Sequence, residues 1–266
     1  MSRRTVLITG ASAGIGAALA RVYAERGWDP ILTARREAAL EALAAEITSA
    51  HGVAVRVLPA DLADPAAPLR LVERLEAEGL TVDGLVNNAG YSLTRGFLTL
   101  DPADHAAMIQ VMLTAPIELS RRLAPGMVER GFGRILNVAS LAGQMPATGG
   151  DTLYGPIKSF LIKASAGLHL ELRGTGVHVT ALCPGYTLTE FHDANGSRAE
   201  VSAAYPKWMW QDAAHVARVG YQAVEANRAR VTPGAINNVL GALAKHLPEG
   251  LALRMVGGHA KRLKRI

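Results

Sequence analysis

The sequence predicts an α/β fold: one domain built on a doubly wound parallel sheet. Three observations carry this. Short β-rich runs alternate with longer runs rich in Ala, Leu, Glu and Arg, the pattern that sets helices on both faces of a parallel sheet. Several short runs are continuously apolar, Val6-Leu7-Ile8 among them, as suits strands covered on both sides. A glycine-rich turn joins the first short run to the first long one.

The elements follow in order. The strand Thr5–Thr9 leads through the glycine turn into a helix over Ile15–Arg26. Pro30–Ala34 leads to Ala38–Ala50, Val53–Leu58 to Pro65–Glu78, and Gly84–Asn87 to a long helix over Ala103–Arg130. Arg134–Ala139 leads to Tyr154–Arg173, and His178–Cys183 to Ala213–Ala226. A weaker strand lies near Arg230–Thr232. No Pro/Ser-rich linker or short-period repeat divides the chain, so residues 1–266 read as one domain. The segment Thr189–Gln211 breaks the alternation and carries Phe191, Tyr205, Trp208, Met209 and Trp210. It reads equally as a substrate lid or as a packed helical excursion over the core.

Composition narrows the class. With 49% hydrophobic and 19% charged residues the chain can bury a large core. Cys183 is the only cysteine, which excludes an intrachain disulfide and fits a reducing compartment. The first apolar run starts directly after Met1-Ser2-Arg3-Arg4 and is too short for a secretory signal core, and no stretch reaches membrane-spanning length. A cytoplasmic protein is expected. The net charge of +5 resides in the tail, where Arg254, Lys261, Arg262, Lys264 and Arg265 meet no acid. That argues against a broad nucleic-acid surface. The tail reads as solvated or oligomer-facing, and membrane contact is not expected. The sharper alternative is a weak membrane-surface contact through Leu251, Leu253, Met255, Val256 and the cations.

The turn reads Thr9-Gly10-Ala11-Ser12-Ala13-Gly14-Ile15-Gly16. Glycine permits a tight turn and close approach of a pyrophosphate to the backbone, and the helix that follows offers free N–H groups and partial positive charge. In this strand-turn-helix setting the motif points to dinucleotide binding on a Rossmann fold. Readers of NAD place an acid near the end of the second strand. Here that strand ends Leu32-Thr33-Ala34-Arg35-Arg36. The acid is missing and two guanidinium groups follow, which suits the 2′-phosphate of NADP(H), with Arg35 the leading candidate.

Tyr154 and Lys158 are four residues apart and share a helix face. A tyrosine at its ordinary pKa near 10 is a poor base at neutral pH, and a nearby ammonium would lower that value. Ser140 ends the fifth strand, where its hydroxyl can polarise a carbonyl.

Taken in order, the TGASAGIG turn, Asp61-Leu62, Asn87-Asn88-Ala89-Gly90, Ser140, Tyr154/Lys158 and Pro184-Gly185 resemble the short-chain dehydrogenase/reductase family over nearly the whole chain. The resemblance implies hydride transfer between a nicotinamide and an alcohol or carbonyl carbon, with tyrosine moving the proton. It implies that Gly10, Ser12, Gly14, Ile15 and Gly16 cradle the cofactor. Asp61 and Leu62 would meet the adenine, while Asn88, Ala89 and Gly90 would support the ribose and the sheet. Lys158 would hold the nicotinamide ribose. The backbone after Pro184-Gly185, with Thr187 and Thr189, would meet the carboxamide or the phosphates. No metal site is expected. A homodimer or homotetramer is expected, because the helices Ala103–Arg130 and Tyr154–Arg173 carry apolar residues on more than one face. The aromatic residues of the insertion hint at an apolar carbonyl or alcohol substrate.

Two departures stand out. Met112 occupies the place of a family asparagine in the stretch Gln110-Val111-Met112-Leu113-Thr114-Ala115-Pro116. The asparagine's carbonyl is associated with a water that links the lysine to solvent. A carbonyl survives the change to Met, but the amide that orders the helix kink does not. A second reading follows: a nucleotide-binding sensor or scaffold without turnover. The other departure is Pro156, two residues after Tyr154. It is tolerated if the helix begins no earlier than Tyr154.

Overall fold

The computed structural model describes residues 3–147, 150–190, 206–244, 246–248 and 250–254. Seven strands form the main sheet: β1 (Thr5–Thr9), β2 (Asp29–Thr33), β3 (Arg56–Val57), β4 (Gly84–Asn87), β5 (Gly133–Val138), β6 (Val177–Leu182) and β9 (Arg230–Val231). Two short strands, β7 (Thr187–Leu188) and β8 (Gln211–Asp212), pair separately. The main sheet runs β3-β2-β1-β4-β5-β6-β9, with every pairing parallel. Strand order reverses between β1 and β4, which opens a crevice at the carboxyl ends of those strands.

Alternation along the strands splits the core between two faces. Val6 and Ile8 of β1 pack with Leu32, Val86, Leu136 and Leu182 under the helices α1 (Gly14–Glu25), α2 (Glu37–His51) and α7 (Ala213–Glu225). Between them, Leu7 points the other way. It joins Ile31, Leu85, Ile135 and Val179 under α3 (Ala67–Ala77), α5 (Ala115–Glu129) and α6 (Tyr154–Glu171). The strands are therefore covered on both faces, which is why they read as unbroken apolar runs.

Three details differ from the sequence expectation. The long central helix is divided into α4 (Pro102–Ile109), a π-helical turn over Gln110–Thr114, and α5. The Ala115 amide bonds the Gln110 carbonyl, five residues back, and the turn widens there. The widening is present with methionine at its centre, so no asparagine side chain is needed to form it. A further helix, α8 (Ala235–Ala244), follows β9. It was hidden behind the punctuation of Pro233-Gly234. The strand expected over Val53–Leu58 shrinks to Arg56–Val57, at the sheet edge. Helix α6 begins at Tyr154, with Thr152 outside it, so Pro156 sits in the first turn without a clash. Of the segment read as a lid or packed excursion, residues 191–205 lie outside the described residues. So do residues 255–266, with most of the basic tail. Among the described residues no helix is long and apolar enough to cross a membrane.

Candidate active site

β1 delivers the chain to the crevice and turns it through Gly10 (φ 65°) and Gly14 (φ 57°) into α1. These are left-handed conformations that glycine adopts without penalty. Space is as restrictive as conformation: a Cβ on Gly10 would lie 2.8 Å from Ala89 Cα, and one on Gly16 only 2.3 Å from the Gly10 carbonyl oxygen. The loop after β4 clamps the turn. Asn88 donates its side-chain amide to the carbonyls of Thr9 (3.0 Å) and Gly10 (3.1 Å). The Thr9 hydroxyl accepts the N–H groups of Asn88 (2.9 Å) and Ala89 (3.0 Å). α1 starts after Ala13, which makes no side-chain cap, and carries no acid in its first turn. Its leading N–H groups and the side-chain-free glycines form a cradle that fits a pyrophosphate.

At the adenosine end the structure sorts the expected residues. Asp61 is exposed beside the crevice and its carboxylate accepts the Ala63 N–H at 3.0 Å. The Leu62 side chain turns inward, against a core cluster that includes Met108, Met112 and Ile157. Arg36, rather than Arg35, reaches the glycine turn. Its guanidinium donates to the Ser12 hydroxyl and carbonyl, each at 3.3 Å, and to the Glu190 carboxylate at 2.9 Å. Arg35 is exposed, and its charge acts on the Tyr91 phenol. The sequence could not separate these adjacent arginines, since only the local bend at the start of α2 aims one of them inward.

β5 ends at Val138, and Ser140 then caps a 3-10 turn over Leu141–Gln144 by accepting the Ala142 N–H at 3.1 Å. α6 packs on that turn and brings Tyr154 to Ser140 and Lys158 to the end of β5. The Lys158 ammonium is buried and donates to the Val138 carbonyl at 2.8 Å. It stands 5.7 Å from the centre of the Tyr154 ring. Burial brings the Lys158 pKa down to about 8, against an opposing effect from Cys183. Burial pushes Tyr154 up to about 12. A hydrogen bond from Ser140 acts in the other direction, and the Asp151 carboxylate adds to the rise. The expected lowering of the tyrosine by Lys158 is thus corrected: in this geometry the ammonium is turned to Val138, and burial dominates the phenol.

The loop after β6 closes the other side. The Pro184 carbonyl accepts the Leu141 N–H at 2.8 Å, which ties this loop to the Ser140 turn. The buried Thr187 donates its hydroxyl to the Gly185 carbonyl at 3.1 Å. Thr189 lies over Gly14, where an added Cβ would fall 3.0 Å from the threonine Cβ. Tyr186 and Trp210 meet with ring centres 5.5 Å apart beside the β7–β8 pair.

Some supporting residues escaped sequence reasoning. Gly143 lets the Ser140 turn sit directly on α6: a Cβ there would be 2.6 Å from the Lys158 carbonyl carbon. Asn237 of α8 fills the space left by Gly185, within 2.5 Å of where a Cβ would stand. A buried polar ladder runs from Asn87 to Asn137 (2.8 Å) and on to Ser165 (2.9 Å), joining β4, β5 and α6. Asn87 is therefore a member of an inter-strand network rather than a simple strand-end cap. No short motif marks such pairs, because each partner comes from a distant part of the chain.

A family model described as short chain dehydrogenase matches residues 4–200. Sulfoacetaldehyde reductase 2 of Chromohalobacter salexigens is 38% identical over 204 residues, 75% of this chain and 80% of that one. The NADP-dependent 3-hydroxy acid dehydrogenase of Salmonella typhi is 39% identical over 186 residues, 68% of this chain and 71% of that one. Among solved structures, a short-chain dehydrogenase from Sphingobium yanoikuyae in complex with NADPH aligns with a TM-score of 0.79 at 32% identity, covering 92% of this chain and 97% of that chain. The motifs, the strand order and these matches agree, and the chain belongs to the short-chain dehydrogenase family of oxidoreductases.

Proposed function

We propose that this protein is an NADP(H)-dependent oxidoreductase that interconverts a carbonyl and an alcohol, with Ser140, Tyr154 and Lys158 as its catalytic group. The observation that carries this reading is the convergence of the three side chains at the end of β5, beside the glycine cradle. When bound, the nicotinamide supplies or accepts the hydride. The remaining chemistry is the protein's own. Ser140 offers its hydroxyl to the substrate oxygen and stabilises the charge that develops there. Tyr154 is protonated at neutral pH, as any tyrosine near its ordinary pKa would be, and burial raises its pKa further, to about 12. It is set to donate a proton to a nascent alkoxide when a carbonyl is reduced, and the same group takes the proton back when the alcohol is oxidised. Lys158 is fixed by Val138 with its ammonium 5.7 Å from the centre of the Tyr154 ring, where its charge acts on the same pocket.

The glycine cradle, Asp61, Asn88, Ala89, Gly90 and the loop from Pro184 to Thr189 form the cofactor bed in this reading, and Arg36 joins Arg35 as reader of the 2′-phosphate. NADP(H) dependence is supported by those arginines, by the absence of an acid after β2, and by the relatives described as NADP-dependent or NADPH-bound. A homo-oligomer is also proposed. Met108, Val111, Met112, Leu119 and Leu161 of the central helices are buried within the subunit, but Ile117, Phe160 and Leu170 remain exposed on α5 and α6. A cytoplasmic location is supported by the single buried thiol, Cys183.

Purified protein mixed with NADPH and a carbonyl panel tests the reading through the absorbance of the reduced nicotinamide. The panel spans apolar ketones, in keeping with the Tyr186–Trp210 ring pair beside the β7–β8 strands, and short anionic aldehydes and keto acids, which the relatives' names favour. Turnover with at least one class is expected. Consumption no faster than in the protein-free control across the whole panel, with cofactor binding confirmed, would refute it.

A further inference from the structure

We propose that Glu190 is a positioning residue that sets cofactor selectivity by competing with the 2′-phosphate for Arg36. The inference rests on the NADP(H) reading above and adds a residue that neither the glycine motif nor the β2 arginines announce.

Arg36 stands at the start of α2, with its guanidinium over the glycine turn. One nitrogen, Nη2, makes three contacts: the Ser12 carbonyl, the Ser12 hydroxyl, and Glu190 Oε2 at 2.9 Å. Nε gives a further bond to the Ser12 hydroxyl at 3.3 Å. A guanidinium grips a phosphate best through two parallel N–H donors on one edge. Both such edges that include Nη2 are engaged here, by Ser12 on one side and by the carboxylate on the other. Ser12 belongs to the turn and can stay. Glu190 cannot share the nitrogen with a phosphate dianion, because the two anions would face each other within a few ångströms.

The position of Glu190 is fixed by its neighbours. Leu188 ends the β7–β8 pair and Thr189 lies over Gly14, so the chain delivers the next side chain to the rim of the turn. Both partners are more than half exposed, with side-chain exposures of 56% for Arg36 and 61% for Glu190. The pair is therefore weak and exchangeable. A ligand bearing the 2′-phosphate displaces the carboxylate, whereas one lacking it leaves the ion pair in place. Glu190 thus lowers affinity for the phosphorylated cofactor and scarcely affects the other.

The test uses Glu190→Gln in the full-length protein, with adenosine 2′,5′-bisphosphate and 5′-AMP as probes in calorimetric titrations, and with NADPH and NADH as a second pair. The variant should bind the bisphosphate and NADPH roughly two- to fivefold more tightly, the gain that matches removal of one exposed ion pair. Binding of 5′-AMP and NADH should change less than twofold. In an Arg36→Gln background the same change should have no effect on either probe. A native protein that does not distinguish the bisphosphate from 5′-AMP would overturn the NADP(H) reading and this inference with it. A native protein that does distinguish them, with Glu190→Gln neutral or weaker towards the bisphosphate, would overturn the inference alone and make Glu190 inert or an organiser of Arg36.

Discussion

Replacing Lys158 by methionine should make the cofactor-free protein more stable while abolishing its turnover. Lys158 is 4% exposed, and burial brings its pKa from 10.5 down to about 8. At about 1.4 kcal/mol per pKa unit, holding the charged form inside the fold costs about 3 kcal/mol at pH 7. Methionine has a similar length and carries no charge, so it removes that cost. It also leaves the Val138 carbonyl without its 2.8 Å donor, a loss of about 1 kcal/mol. The net expectation is a gain of about 2 kcal/mol at pH 7, or about 4–8 °C in the thermal midpoint. The sign with pH follows from the depressed pKa. Between the folded value near 8 and the unfolded value near 10.5, the unfolded chain binds the extra proton, so the native penalty fades as pH rises through that window. By pH 10 the gain from the substitution should shrink below about 1 kcal/mol. Tyr154 and Cys183 titrate in the opposite sense, their folded values being raised to about 12. They destabilise both proteins above about pH 9, Cys183 more so in the variant that lacks the Lys158 ammonium which lowers it. Both effects shrink the gain at high pH, so the difference between the two melting curves must be read. A methionine variant less stable at pH 7, or one whose gain is equal at both pH values, would refute the reasoning that Lys158 is a buried cation held at a cost for function.

The other predictions concern the cofactor, the proton and the assembly. Tyr154→Phe should reduce kcat to background while cofactor affinity, measured by titration, stays within about twofold, because the phenol moves a proton rather than holding the dinucleotide. NADPH should be preferred over NADH by more than about tenfold in kcat/KM, since each bond to a charged group contributes ~1.5–3 kcal/mol. Arg36→Ala should erase more of that preference than Arg35→Ala, and equal use of both cofactors by the native protein would sink the assignment. Met112→Asn should change kcat by less than about tenfold and lower stability by ~1–3 kcal/mol, because it puts an amide into an apolar site; the melt and the rate must be taken on the same preparation. Light scattering at micromolar concentration should give a dimer or tetramer, and a monomer mass would contradict the exposed Ile117, Phe160 and Leu170 as an interface.

The parts of this molecule that were legible in the sequence are those dictated by local chemistry. β1 and β4 were read with their observed bounds because each has an unbroken apolar interior, Val6-Leu7-Ile8 and Leu85-Val86, as burial on both faces requires. Tyr154 and Lys158 were legible because a spacing of four places them on one helix face. The glycine turn was legible because both a left-handed φ and a missing side chain are required there. The choice between Arg35 and Arg36 was not legible, since it depends on the entry angle of α2. Nor was the aim of the Lys158 ammonium, which Val138 decides from a different strand. α8 was missed because its apolar residues follow a Pro-Gly pair. Its role, seating Asn237 against Gly185, emerges only once β6 and β9 lie side by side.

Met112 shows how a departure from a motif can leave its physics intact. The side chain at this position is fully buried, against Gly90 on one side and a cluster containing Leu62 and Ile157 on the other. Methionine is well suited to such an irregular apolar gap. What the relay expectation requires is not the side chain but a backbone carbonyl free of the usual helical bond. In an α-helix the carbonyl of Met112 would accept the N–H of the residue four positions on. That residue is Pro116, which has no N–H. The ladder is therefore interrupted at Met112 whatever side chain stands there. The π-helical turn, with Ala115 bonded to Gln110, is the local rearrangement that accommodates the interruption. A carbonyl without its usual helical donor thus belongs to the proline and the backbone, and the methionine only packs beneath it. On this ground Met112 carries no argument for a sensor without turnover.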